Sequence, residues 1–249
     1  MTFKEKYGDK SSEIYKGNLN ISGQKLDSLE GCYKEIEGNF GCTDNKLTSL
    51  KGGPKTVNGA FYCYNNDLTS LEYAPKIVNG DFICSSNDLK SLKGAPKTVN
   101  GAFYCSNDQL ISLEGAPVTV NGDFDCSDND LKSLKGGPKI VNEDFYCSNN
   151  KLTSLEGAPK TVKGNFDCYF NDLTSLKGAP KTVNEEFNCL KNPKLKSLDE
   201  LLETEIKGEL RSDIMTDKEF KEEQKLFIKV HKNLSKYKKL KKLLQVTKV

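Results

Sequence analysis

The sequence predicts a mainly-β solenoid of short parallel strands, and three observations carry that expectation. Phenylalanine recurs every 21 residues, at Phe40, Phe61, Phe82, Phe103, Phe124, Phe145, Phe166 and Phe187. Two residues behind each stands a cysteine: Cys42, Cys63, Cys84, Cys105, Cys126, Cys147, Cys168 and Cys189. Proline keeps the same step at Pro54, Pro75, Pro96, Pro117, Pro138, Pro159 and Pro180. Self-similarity at a fixed period of this size marks a stack of supersecondary units, each burying its apolar face against the next.

Residues 47–67 serve as the specimen coil. Phe61 and Cys63 are two apart, so in an extended segment they share one face, and Ala60, Tyr62 and Tyr64 share the other. Leu47, Leu50 and Val57 supply the remaining inward positions. Asn58-Gly59 opens the strand, a dipeptide suited to positive φ, although Glu143 and Glu185 replace the glycine in two coils. Proline bars an α-helix from the returning segment, which predicts an extended or polyproline-like back. Three residues after each cysteine comes Asn45, Asn66, Asn87, Asp108, Asn129, Asn150, Asn171 or Asn192. Such a column can satisfy backbone donors and acceptors that the bend leaves buried. Ionised Asp108 accepts but cannot donate, so its coil is expected to be the weaker one.

The chain divides on this pattern. Residues 1–25 are a lead-in with a degenerate strand, in which Leu19 and Ile21 stand for phenylalanine and cysteine. Residues 26–194 hold eight coils, and 195–215 a degenerate repeat around Ile206-Lys207-Gly208-Glu209-Leu210. Ten rungs at about 4.8 Å would make a rod of roughly 45 Å. Residues 216–249 change character. Thr216-Asp217-Lys218-Glu219 has capping-box spacing, and Phe220, Phe227, Val230, Leu234, Tyr237 and Leu244 fall near helical periodicity. From Lys225 onward there are nine lysines and no acidic residue, so the segment reads as a basic amphipathic helix.

Composition excludes more than it selects. Apolar residues make up 36%, low for a compact globule but sufficient for a thin continuous core. A net charge of +2 favours no class of partner. The N-terminus lacks the charged and apolar regions of a secretory signal, and no apolar run is long enough to span a bilayer. The expected location is therefore cytoplasmic, with reduced thiols.

Phe-x-Cys-x-x-Asn-x-Leu-x-x-Leu, as in Phe61 to Leu71, resembles the leucine-rich-repeat signature, with Phe and Cys in two of its leucine positions. The short period with proline opposite the strand resembles the bacterial-effector subclass. The wording Leu-Thr-Ser-Leu-Glu-Gly-Ala-Pro-Lys-Thr-Val is similar to repeat proteins of large tailed phages and giant viruses. The resemblance, over residues 15–215, implies a right-handed solenoid and a generic binding scaffold.

Candidate sites follow from what the repeat leaves free. The cysteine ladder has one-coil spacing and no histidine within the repeats, which fits packing better than metal or redox chemistry. Cys32, in a position held elsewhere by Gly or Ala, is expected to be the more exposed thiol. His231, in the basic tail, reads as a solvated helix residue. No catalytic constellation, cofactor site or metal site emerges, so an enzyme is not expected. The outward strand positions carry Tyr62, Tyr64, Ile83, Tyr104, Tyr146 and Tyr169 beside Asp123, Asp125, Asp144 and Asp167. Tyrosine is a favoured interface anchor and carboxylates steer a basic partner, whereas the bland reading is ordinary strand-surface chemistry. The acidic stripe opposes nucleic acid on this face. In the tail, Lys232, Lys236, Lys238, Lys239, Lys241 and Lys242 admit a solvated cap, a partner or self-association helix, or a contact with nucleic acid or anionic membrane.

The expected function is non-catalytic binding of a protein partner through the strand face. The viral wording sharpens this to a phage-encoded inhibitor of a host protein, such as a defence factor. A virion-associated structural or adhesin protein and a nucleic-acid binder acting through the tail are the alternatives.

Overall fold

In a computed structural model the described residues, 1–230, form a solenoid of two ten-stranded parallel sheets. Each coil gives one two-residue strand to each sheet, as Thr56–Val57 to sheet I and Phe61–Tyr62 to sheet II. Register advances by one repeat per rung: Thr56 pairs with Ile77, and Phe61 with Phe82. A constant step forces this arrangement, because each side chain then meets its own copy above and below. The coils at Leu19–Asn20 and Leu210–Arg211 complete ten rungs.

The extended back expected from the proline is in part a second hydrogen-bonded sheet. Thr or Ile stands outside while Val57, Val78, Val99, Val120, Val141, Val162 and Val183 are buried, which is β-branched chemistry suited to a pleated surface. The core is a set of parallel columns of phenylalanine, cysteine, valine and two leucines, all buried. Ring centroids in the phenylalanine column lie 5.0–5.7 Å apart. From Phe61 to Phe187 the rings are stacked, and only the Phe40–Phe61 pair is more tilted, at 38°.

The asparagine column does the expected work. Asn66 Nδ2 donates to the carbonyls of Cys63, of Tyr64 and, one coil back, of Cys42, while Oδ1 accepts from Leu47 N at 3.1 Å. The residue before each asparagine sits at positive φ, from Asp44 to Lys191, and this left-handed step aims the amide inward. The role of the corner glycine differs from expectation. Gly59, Gly80, Gly101, Gly122 and Gly164 are not at positive φ. A Cβ at Gly80 would lie 2.7 Å from Ala60 N, so the residue is small because neighbouring coils approach closely. An ordinary φ also explains why Glu143 and Glu185 can stand at this corner.

Both ends are closed. At the start, helix Phe3–Tyr7 has a capping box between Thr2 and Glu5 and buries Phe3. At the other end a helix over 217–230 begins with the Thr216–Glu219 box, buries Phe220 and puts Asp217 Oδ1 on the free Leu210 N–H at 2.9 Å. Gln224 donates to the carbonyls of Leu202 and Thr204. Lys232, Lys236, Lys238, Lys239, Lys241 and Lys242, with His231, lie outside the described residues.

Another outer column alternates in sign: Glu30, Lys51, Glu72, Lys93, Glu114, Lys135, Glu156 and Lys177. Lys93 pairs with Glu114 at 3.2 Å, and Glu156 with both Lys135 and Lys177 at 2.9 and 2.8 Å. These lysines are well exposed, so each pair adds little stability. What the alternation does achieve is a column without net charge.

Candidate functional site

Sheet II presents three outward columns. The central one runs Asn20, Gly41, Tyr62, Ile83, Tyr104, Asp125, Tyr146, Asp167, Asn188 and Arg211 on successive rungs. Six of the sequence-predicted residues are therefore direct neighbours in one line. Tyr64 and Tyr169 occupy a second column and are separated there by Ser85, Ser106, Ser127 and Ser148. Asp123 and Asp144 belong to the third. All ten are on the surface, half-buried except for the exposed Tyr169.

The carboxylates have structural partners that their positions alone did not reveal. Asp123 Oδ1 accepts from Asp144 N at 3.0 Å, and Asp144 Oδ1 accepts from Asn165 N at 2.6 Å. Asn18, Asn39 and Asp81 bond the following coil in the same way. The sequence signal was the preference for Asn or Asp one residue before the phenylalanine, interrupted by Ala60, Ala102 and Glu186. Asp125 Oδ1 accepts from Ser127 N and Asp167 Oδ1 from Tyr169 N, each closing a turn within its own coil. Each carboxylate thus spends one oxygen on a backbone N–H, Asp123 and Asp144 between coils and Asp125 and Asp167 within one.

Two tyrosines are tied into it. Tyr104 Oη donates to Asp123 Oδ2 at 2.8 Å, and Tyr146 Oη to Asp144 Oδ2 at 2.5 Å. Burial, reinforced by these carboxylate bonds, pushes both phenols well above their ordinary range, so they stay neutral donors. Tyr62 is shifted upward too, mainly by burial. Burial also raises the Asp167 carboxyl. Across the three columns eight carboxylates face a single base, Arg211, which reaches Glu186 at 3.4 Å.

A feature missed in the sequence is Gly41. It places no side chain between Asn20 and Tyr62, leaving a recess of about 600 Å³ lined by Asn39, Thr43, Tyr62, Tyr64 and Ile83 among others. Its φ is ordinary and the nearest atoms a Cβ would meet are the side-chain oxygens of Asn20 and Ser22, at 3.2 and 3.3 Å. The gap in an otherwise filled outward column was the available signal. The aromatic cluster is therefore the wall of a pocket and not merely a raised patch.

The thiols are placed differently from expectation in one case. Cys32 is buried, and burial pushes its thiol up to about 12. Its position points inward: a Cβ at the equivalent Gly53 would sit 3.0 Å from Leu29 Cδ1. The first coil has no preceding leucine to fill that space, so a cysteine fits. Burial likewise raises the thiols of the main ladder, and several Sγ atoms face the carbonyl one rung on, as Cys105 does Asp125 O at 3.3 Å. Among the described residues no group of three or more His, Cys, Asp or Glu could hold a metal ion.

Comparison with known proteins places the fold. YopM from Yersinia enterocolitica WA-314 superposes with a TM-score of 0.50 at 20% identity, over 79% of this chain and 47% of that one. The fold is a leucine-rich-repeat-like solenoid. At that identity the likeness concerns the fold alone, and this chain spans about half the length of YopM. No family model matches the sequence, and a search of curated proteins finds no match. Among the described residues no helix is long and apolar enough to cross a membrane.

Proposed function

We propose that the solenoid is a non-catalytic scaffold that binds a protein through sheet II. The carrying observation is the Gly41 recess, walled by Tyr62, Tyr64 and Ile83, at one end of a face whose other end is acidic. An apolar side chain of the partner would fill the recess, while basic groups on the same partner lie along Asp125 and Asp167. Buried aromatic anchors carry most of the affinity at such interfaces, and charge governs encounter rate. The likeness of the repeat wording to phage proteins supports a finer reading, a phage-encoded protein that occludes a host protein, a defence factor included.

The test uses the whole chain as bait in host-cell lysate, followed by affinity measurement on the captured protein. Tyr62→Ala with Tyr104→Ala should weaken binding about thirtyfold, the scale of an interface hot spot. Gly41→Tyr should do the same by filling the recess. Asp125→Asn with Asp167→Asn keeps both turn-closing oxygens but removes charge, so it should slow association and leave dissociation nearly unchanged. Full affinity in all three variants would move the site off sheet II.

A further inference from the structure

Sheet I carries a second charge pattern with no neutralising partner. The residue after each proline position is Lys34, Lys55, Lys76, Lys97, Val118, Lys139, Lys160 or Lys181. All seven lysines are exposed, and among the described residues none enters an ion pair. Their backbones are one rung apart, about 4.8 Å, and like charges in that relation repel. The alternating column beside Leu50 shows that this fold can cancel such repulsion with a carboxylate in every other coil. Here it does not. Between residues 55 and 184 the lysine column and the two columns next to it, Thr56-like and Asn58-like, contain no acidic residue. Carboxylates stand at its ends, Glu13, Glu35, Glu37 and Glu205, and at its corner, Glu143 and Glu185.

Three further observations narrow the ligand. Branched aliphatics are exposed among the lysines: Ile77 at 52%, Val118 at 60% and Ile140 at 48%. No aromatic side chain occurs in these three columns, so single-stranded nucleic acid would find no stacking platform. At the N-terminal end, Gly52 and Gly53 leave a recess of about 460 Å³ lined by Lys34, Lys55, Lys76 and Tyr73. Three lysines lining a small hollow suit a phosphate headgroup, and Tyr73, 55% exposed, is of the type that settles at a membrane–water interface.

We infer that sheet I docks the protein on an anionic lipid surface, with Lys34, Lys55 and Lys76 taking a phosphate headgroup and Ile77, Val118 and Ile140 resting on the acyl boundary. This contact is independent of the sheet II reading and leaves that face open.

The experiment is flotation of the full chain with vesicles of phosphatidylcholine alone or with roughly one-third phosphatidylserine, at low and at physiological salt. Binding should require phosphatidylserine and weaken with salt. Lys55→Gln/Lys76→Gln/Lys97→Gln should lower partitioning about a hundredfold, from the loss of three surface cations. Lys51→Gln/Lys93→Gln/Lys135→Gln makes the same change in net charge on the alternating column and should have little effect. Ile77→Ser/Ile140→Ser should remove the binding that survives added salt. Equal losses in the two lysine sets would mean net charge alone acts, and no loss in either would place the contact elsewhere. Either result overturns the inference, as does binding to a uridine oligonucleotide with none to vesicles.

Discussion

Asp108 is the residue where chemistry and ladder disagree. It takes the place of an asparagine, and its Oδ1 accepts from Asn87 N at 2.8 Å. Oδ2 is buried without a partner. By the register of the column, the carbonyls of Cys84, Cys105 and Ser106 lose the amide donor that Asn66 supplies to their counterparts. Burial, opposed by the backbone bonds from Asn87 and Leu89, raises the carboxyl from 3.8 to about 7. A raised folded-state value means that the native chain holds this proton more tightly than the unfolded one. The associated stability is fully present below pH 4 and is lost as pH rises through 7. Asp108→Asn should therefore stabilise by about 1–3 kcal/mol at pH 8, and by less at pH 5, where the protonated acid can itself donate. Urea midpoints of both proteins at the two pH values check this; an equal gap at both would show that Asp108 is not titrating.

At the scale of the element, a two-residue strand is too short to stand alone, and the columns make it persist. The phenylalanine column is continuous and closely packed, so a vacancy in its middle cannot be closed by either neighbour. Phe124→Ala should cost about 3–5 kcal/mol, and Phe124→Leu about 1 kcal/mol. Because each coil touches mainly its neighbours, the loss falls on the adjacent coils more than on the whole rod. Hydrogen exchange should show protection falling first in the coils flanking Phe124, whereas uniform loss along the chain would mean that the stack unfolds as one unit.

For the whole molecule the ends are decisive, since a stack of parallel strands has an open edge at each terminus. At the C-terminal edge the helix over 217–230 supplies Phe220 over the last coil, Asp217 on Leu210 N and Gln224 on two carbonyls. A chain ended after Met215 should self-associate through the bared edges, seen as a concentration-dependent mass in light scattering. A monomer of unchanged melting temperature would show that the helix is not needed as a cap. The molecule is also divided by charge, acidic on sheet II and basic on sheet I, though its net charge is only +2.

Period, inward columns and the amide ladder were legible because each depends on one residue and its copy 21 positions away. A strict step leaves side chains no choice of neighbour, which is why the fold class followed from spacing alone. The aromatic line from Tyr62 to Asp167 could be read for the same reason. Other features depend on what surrounds a position. The hydrogen bonds of sheet I, the burial of Cys32, the close approach at Gly80 and the work done by Asp123 and Asp144 arise where two coils meet. Gly41 was only a missing side chain until Asn20 and Tyr62 were placed on either side of it. Sequence periodicity determined which residues stack; tertiary structure decided which of them are spent on the stack and which face outward, because the distance between coils exists only once they have packed.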